Sequence, residues 1–403
     1  MVGKMRNKLK RAVSEMPRAF WLLWVGTLIN RLGGFVAPFL SLYLTGPRGV
    51  SVTQATLVIS LFGVGSFISM LAGGALSDRL GRRPVLLASF LGTPVVMLTL
   101  GLVRSLPAIG AASLLVGFFT DLYRPAVSAA VADLVPSERR TRAFGYIYWS
   151  INLGAAVAPV VAGLLAHYGY FLLFAGDAAT TFLFGLLVLW KLKETMPEHV
   201  HPEHHDTEVR RRSFSLLRRD PFFLVFVALT FVLTAIYVQS YSTLPIAMSA
   251  RGIGPGGYGA AISVNGLLIV VLGIPLARLI ERWKKLPAIA GAALLLAVGF
   301  GLGRFPGGLA LFITGIIIWT LGEIINATVA PAFVAGLAPD GQQGMYQGVY
   351  GSAWGLSIFV GPAVGGWVLG TFGAAALWTG CFAVAVAAAA CYLMLSRAAE
   401  HRQ

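Results

Sequence analysis

Apolar runs of spanning length leave this chain few possible folds. They lie at 19–45, 53–77, 84–103, 108–133, 143–167 and 170–192. Past a polar stretch at 193–219, six more lie at 221–250, 257–280, 287–304, 308–338, 345–370 and 373–396. A helix needs about 20 apolar residues to cross the hydrocarbon core of a bilayer. No water is present there to hydrogen-bond an open backbone, so each run predicts a helix. Hydrophobic residues make up 57% of the chain and charged residues only 12%, a balance no soluble globule could bury. The expected fold is therefore an all-α membrane protein of twelve transmembrane helices. Six fall in an N-terminal bundle at 19–192 and six in a C-terminal bundle at 220–397, joined by a linker at 193–219 and flanked by tails at 1–18 and 398–403.

The net charge of +15 would suggest a nucleic-acid partner in a soluble protein. Here the cations occupy short segments between apolar runs, so they read as topology and no nucleic-acid partner is expected. With the N-terminus inside, 25 of the 31 Lys and Arg fall on inward segments and 4 on outward ones, while Arg31 and Arg124 lie within spans. The positive-inside rule then predicts a multi-pass protein of a cytoplasmic membrane with both termini in the cytoplasm. The first run is too long for a signal-peptide core and no Ala-x-Ala site closes it, so it reads as a retained span. The linker histidines His199, His201, His204 and His205 read as solvated residues, with a surface helix near 214–217, and no metal site is expected.

The two halves repeat without a gap at a shift of 203 residues. Asp78 falls on Glu281, Arg79 on Arg282, Pro136 on Pro339, Gly145 on Gly348, Pro159 on Pro362 and Gly163 on Gly366. An even number of spans per repeat makes the repeats parallel, so the halves are pseudo-symmetric about the membrane normal, with a binding site at midplane between them.

The segment "GGALSDRLGRRPVLL" (73–87) sits between the second and third runs. It carries the pattern G-x-L-x-D-R-x-G-R-R through Gly74, Leu76, Asp78, Arg79, Gly81, Arg82 and Arg83. With its span count and internal repeat, the chain resembles the major facilitator superfamily, and within it the twelve-span drug:proton antiporter group. The resemblance covers the whole chain and implies the major facilitator fold. It implies a conformational latch in which Asp78 meets the positive N-terminal end of the eleventh helix, near 343–346, and Arg82 reaches Asp133 at the end of the fourth. Gly74 would let a neighbouring helix come close. The antiporter group also carries a glycine–proline pattern in the fifth span. Here Ala158 precedes Pro159, and the fuller form, Gly361–Pro362, stands in the second half as a hinge or packing element. In the fourth span Ser113 stands where the family often has arginine.

Charges inside spans cost about 2.5–3.5 kcal/mol each on insertion scales, so each needs a reason. At 1.5 Å per residue, Arg31 lies roughly 18 Å from the inner end of its span, and Asp121 and Glu323 lie roughly 20 Å from their outer ends, all near midplane. Asp121 and Glu323 come within one residue of matching under the repeat shift. The resemblance implies that the first, fourth, seventh and tenth spans line a central cavity, which would hold four of the five embedded charges. Asp121 shares a helix face with Arg124, and a neighbouring arginine favours its charged form. Two readings follow. In one, Asp121, Arg124 and Arg31 form a structural cluster and Glu323 bonds a neighbour such as Asn326. In the other, Glu323 or Asp121 carries a proton across while substrate competes for the site. Glu323 is the better carrier because no arginine lies near it in sequence, and Asp177 reads as structural. Asn30, Tyr123, Tyr146, Trp149, Asn152, Tyr237, Gln239, Tyr241, Asn326 and Trp354 are the candidates for substrate contact.

No phosphate-cradling G-x-x-x-x-G-K-[ST] loop and no nucleophile–base pattern is present, so neither an ATPase nor an enzyme is expected. The expected function is a monomeric, proton-coupled secondary transporter working by alternating access, with no cofactor beyond the proton gradient. Its partners would be a small-molecule substrate, protons and the lipid bilayer, and it would export amphipathic drug-like or metabolite molecules. One alternative is a proton symporter importing a small polar or anionic nutrient. A second is a non-transporting membrane sensor or lipid-binding protein.

Overall fold

The computed structural model describes residues 16–196, 220–338 and 343–400. Nearly all of the basic tail and the linker, including its histidines and the expected surface helix, fall outside them. Among the described residues, eleven helical stretches are long and apolar enough to cross a bilayer. In order they are α1 (Arg18–Thr45), α2 (Val52–Leu80), α3 (Arg82–Leu102), α4 (Leu106–Leu134) and α5, which as a full helix runs Ser137–Ala166. Next come α6 (Phe171–Lys191), α7 (Pro221–Ser242), α8 (Pro255–Ile280), α9 (Lys285–Arg304) and α10 (Leu309–Leu337). The last helix, Gln343–Glu400, breaks at Gly373, whose φ of 81° is open to glycine but strained for other residues. It therefore divides into α11 and α12, and twelve crossings result.

Three of these crossings are discontinuous, each for a local reason. In α1 the helix stops at Leu32 and restarts at Val36. At the stop, a Cβ on Gly33 would lie 1.9 Å from Thr180 Oγ1 of α6, so only glycine lets the two helices meet. In α4 the helix pauses at Leu122, between Asp121 and Tyr123. Pro125 follows and has no N–H to give the Asp121 carbonyl. In α7 the main helix ends at Tyr237 and a short turn covers Gln239–Ser242.

The two ends of the bundle differ. One carries the Arg79–Arg83 and Arg282–Lys285 turns and is called here the arginine-rich end. Toward the opposite end, the halves touch backbone to backbone. A Cβ on Gly63 (α2) would stand 2.5 Å from the Ile358 carbonyl oxygen of α11, and one on Gly259 (α8) would stand 2.2 Å from that of Pro159 on α5. The Phe39 and Tyr258 rings meet across the same seam at 5.4 Å. Toward the arginine-rich end of these helices, a Cβ on Gly74, Gly145, Gly273 or Gly348 would meet nothing within 4 Å. The helix pairs α2/α11 and α5/α8 therefore close at one end and splay at the other. Gly74 faces open space here, and its neighbour Gly73 is the glycine packed on α4, where a Cβ would stand 3.2 Å from the Leu122 carbonyl oxygen.

The repeat is visible in side-chain chemistry at the closed end. Arg48 and Arg251, 203 residues apart in sequence, make the same kind of clamp. Arg48 donates to the Val103 carbonyl at 2.8 Å, and Arg251 to the Gly303 and Phe305 carbonyls at 2.6 and 2.9 Å. Each ties the loop after the first helix of its half to the end of the third.

The seam predicts a contrast between two conservative substitutions. Gly63→Ala adds a methyl where a carbonyl already stands and should destabilise by about 1–3 kcal/mol through overpacking. Gly145→Ala adds the same methyl to open space and should leave stability unchanged or raised, since alanine is favoured in helices by about 1 kcal/mol. Thermal unfolding of the two purified variants in one detergent checks both.

Candidate functional site

At the bundle's middle, the breaks in α1 and α4 place helix ends where a membrane helix normally has none, and polar side chains answer them. Asp177 of α6, buried, accepts from the Val36 N–H at 3.3 Å and so caps the restarted half of α1. Next to the break, Asn30 donates to Thr181 Oγ1 at 2.8 Å, and Arg31 Nη2 donates to the Tyr123 hydroxyl at 2.6 Å. At the α4 break, Arg124 Nε lies 2.6 Å from Asp121 Oδ1, and the other carboxylate oxygen accepts from Ser66 of α2.

Across the seam, Glu323 of α10 takes a different set of partners. Its Oε2 accepts from Asn265 Nδ2 of α8 at 2.6 Å, and Tyr237 of α7 bonds the same carboxyl. Asn265 also reaches Thr320 Oγ1 at 3.1 Å. Asp121 thus has an arginine in contact, whereas Glu323 bonds neutral groups.

Two cavities lie on either side of this cluster. One of about 300 Å³ lies between the halves and is lined by Asn30, Arg31, Asp177, Tyr237, Tyr241 and Asn265 over a largely apolar wall. The other, of about 330 Å³, runs from Glu323 past Tyr148 and Gly273 to Arg278, toward the arginine-rich end. Tyr237 and Asn265 wall the first cavity and hold the acid that lines the second.

The remaining candidates scatter. Gln239 does not face the central cavity: buried, it donates to the Ala235 and Gly361 carbonyls, both at 2.9 Å, and accepts from Thr243, fastening α7 to α11 beside Gly361–Pro362. Asn152 bonds the Tyr148 carbonyl of its own helix at 2.9 Å. Trp149 stacks on Trp24 with centroids 6.2 Å apart, Trp24 bonds the Tyr146 carbonyl, and Trp354 lies 5.5 Å from the Tyr237 ring. Asn326 is half-buried, and Asn265, one helix away, is the side chain that holds Glu323. Sequence reading passed over Asn265, Tyr148 and Ser66. Of these, only Asn265 carried a signal, as an amide inside an apolar run.

At the arginine-rich end, Arg82 donates to Asp133 at 2.9 Å, to Asp78 at 3.0 Å and to the Ser77 carbonyl at 2.8 Å. The Asp78 side chain is 72% exposed. Arg79 and Arg83 flank Gly81, whose φ of 97° makes the turn. A residue that sequence reading overlooked completes this turn: Glu194, just past α6, accepts from the Arg82 and Arg83 N–H groups at 2.9 and 3.1 Å and so caps α3 from the segment that follows α6.

The family described as Major Facilitator Superfamily matches residues 23–328 and 242–403. A Na(+), Li(+), K(+)/H(+) antiporter of Planococcus maritimus is 22% identical over 375 residues, 85% of this chain and 84% of its own length. Multidrug resistance protein MdtH of Escherichia coli O1:K1 / APEC is 26% identical over 365 residues, 86% of each chain. A solved peptide transporter POT in complex with sulfate superposes with a TM-score of 0.79 at 18% identity over 94% of each chain, which shows a shared fold.

The Glu194 cap has a pH signature. Partial burial opposes its charge, but the N–H groups of Met196, Arg82, Arg83 and Thr195 outweigh that and hold the carboxyl below its ordinary value of 4.5. A depressed value stabilises the fold above the ordinary value and ceases to do so as pH falls through the folded one. Glu194→Gln should therefore cost roughly 0.5 kcal/mol at neutral pH, the low end for a cap because the site is exposed. The gap to wild type should close on acidification below 4.5. Thermal unfolding of both proteins across that pH range checks the sign.

Proposed function

Because this chain belongs to the major facilitator superfamily, we propose that it is a proton-coupled secondary active transporter that works by alternating access and exports amphipathic drug-like or metabolite molecules. Its relatives and fold neighbours are transporters rather than enzymes. The names of two relatives support the finer reading, one an antiporter that exchanges cations for protons and one a multidrug resistance protein.

The observation that carries the proposal is the shared use of Asn265 and Tyr237. Both line the cavity between the halves and both hydrogen-bond Glu323. An ionised carboxyl only accepts hydrogen bonds, whereas a protonated one also donates. A proton on Glu323 thus changes which way Asn265 and Tyr237 are held, and with them the wall against which cargo sits. That supplies the differential interaction by which protonation shifts the balance between two conformations. Asp121, in contact with Arg124, is the second carboxyl of the proposed proton path.

The positive-inside reading puts the arginine-rich end and both termini in the cytoplasm, so this conformation opens inward. The exposed Asp78, bonded to Arg82 and not to α11, then describes the contact between the halves as released, while Arg82 on Asp133 keeps the contact within the first half. When the arginine-rich end closes, Asp78 would meet the positive end of α11. One copy of the chain is sufficient for this cycle, in a cytoplasmic membrane and with the proton gradient as its only energy source.

Glu323→Gln should reduce pH-gradient-driven flux in proteoliposomes to the uncoupled leak while thermal stability stays within about 1 kcal/mol of wild type. Unchanged gradient-driven flux in this variant would remove the assigned role. Cargo accumulating together with protons, rather than against them, would replace export by import.

A further inference from the structure

The structure assigns Arg31 as the recognition point for an anionic group on the cargo. Five charged side chains lie within the spans, and four have an evident answer in the protein. Asp121 and Arg124 neutralise each other at 2.6 Å. Asp177 is committed to the helix end at Val36, and Glu323 to Asn265 and Tyr237. Arg31 has no carboxylate within ion-pair distance among the described residues: its charge acts on the Asp177 carboxyl only from beyond that distance, and its guanidinium lies 5.8 Å from the Tyr123 ring centroid. Its one hydrogen bond is to the neutral Tyr123 hydroxyl, through Nη2. Its Nε is buried without a hydrogen-bond partner.

A guanidinium inside a membrane protein pairs with an opposite charge or with carbonyls, since leaving it unanswered costs several kcal/mol. Arg31 lines the cavity of about 300 Å³ between the halves, at the lower end of the size range for small-molecule sites. Asn30, Tyr241 and Asn265 offer neutral polar groups on the same wall, with Asp177 the one other charge there, and Ile59, Phe62, Met97 and Ile262 supply apolar surface. A compact body with a carboxylate or sulfonate head fits this lining. A cationic amphipath would bring its charge against Arg31, and the one acid on this wall, Asp177, is already held by the Val36 N–H. The inference rests on the transport reading only for the claim that the bound molecule is cargo.

The test uses the full chain in detergent and a matched series on one apolar body: para-butylbenzoate, para-butylbenzenesulfonate, para-butylbenzamide and para-butylbenzylammonium. A ligand that binds the folded state raises its unfolding temperature. Both anions should raise it progressively as their concentration increases, and the amide and ammonium should not. Arg31→Gln should weaken binding of the anions at least about tenfold, the effect of losing a charged hydrogen-bond donor, while Arg31→Lys should retain part of it. Stabilisation by the ammonium or amide equal to that by the anions overturns the inference, as does the absence of any shift with the anions. The wild-type series decides even where Arg31→Gln fails to fold. Anions that bind without gradient-driven flux in proteoliposomes would leave this site standing and remove the transport reading instead.

Discussion

The close approach of helices at one end of the molecule is the constraint on which the rest of the structure depends. In a bilayer, apolar side chains gain nothing by leaving lipid for a neighbouring helix, so association relies on packing at short range. Gly63 against Ile358 and Gly259 against Pro159 bring backbones together where a single methyl would intrude. The same helices carry glycines farther along that touch nothing, among them Gly145 and Gly348, which are equivalent under the repeat. Contact at one end and separation at the other set the position of the cavities and leave Glu323 facing a path toward the arginine-rich end.

The interrupted helices are the second consequence. A continuous transmembrane helix satisfies its own backbone and has no reason to hold a carboxylate at mid-bundle. Breaking α1 at Gly33 frees N–H groups at Val36, and Asp177 is what a freed helix start requires. Breaking α4 beside Asp121 puts Arg124 and its partner on one turn. Polar side chains in these spans therefore divide into those that mend the backbone and those that do not. Arg31 and Glu323 belong to the second group.

Much of this architecture was legible from patterns with long range in sequence. Spans and the repeat report on helix length and duplication, which depend on many residues together. The Arg79–Arg83 turn was legible because glycine and charge at fixed spacing define it locally, and Arg82 does lie on Asp133. The partner of an embedded polar group was not legible, because it comes from whichever helix packs opposite. Asn265 rather than Asn326 holds Glu323, and Gln239 turns from the cavity toward Gly361. Glu194 escaped notice for the same reason: a carboxyl at the start of a polar stretch reads as solvated until folding sets a helix N-terminus beside it.

The repeat also shows how two copies of one element come to differ in chemistry. Asp121 and Glu323 sit within one residue of equivalence, yet one stands against a cation and the other against an amide and a phenol. The amide's position, Asn265, corresponds to Phe62 in the first half at the 203-residue shift. The exchange of a phenyl ring for an amide, with Arg124 standing where the second half has Ala327 and Tyr237 where the first has Gly34, thus distinguishes the walls the two copies present. Backbone symmetry is preserved because glycines and prolines maintain it, while the groups that face the cavity are free to diverge. Parallel repeats that close over a common midplane need identical helix contacts. They do not need identical charges, and the difference between the two acids is what gives this otherwise symmetric bundle two chemically distinct sides.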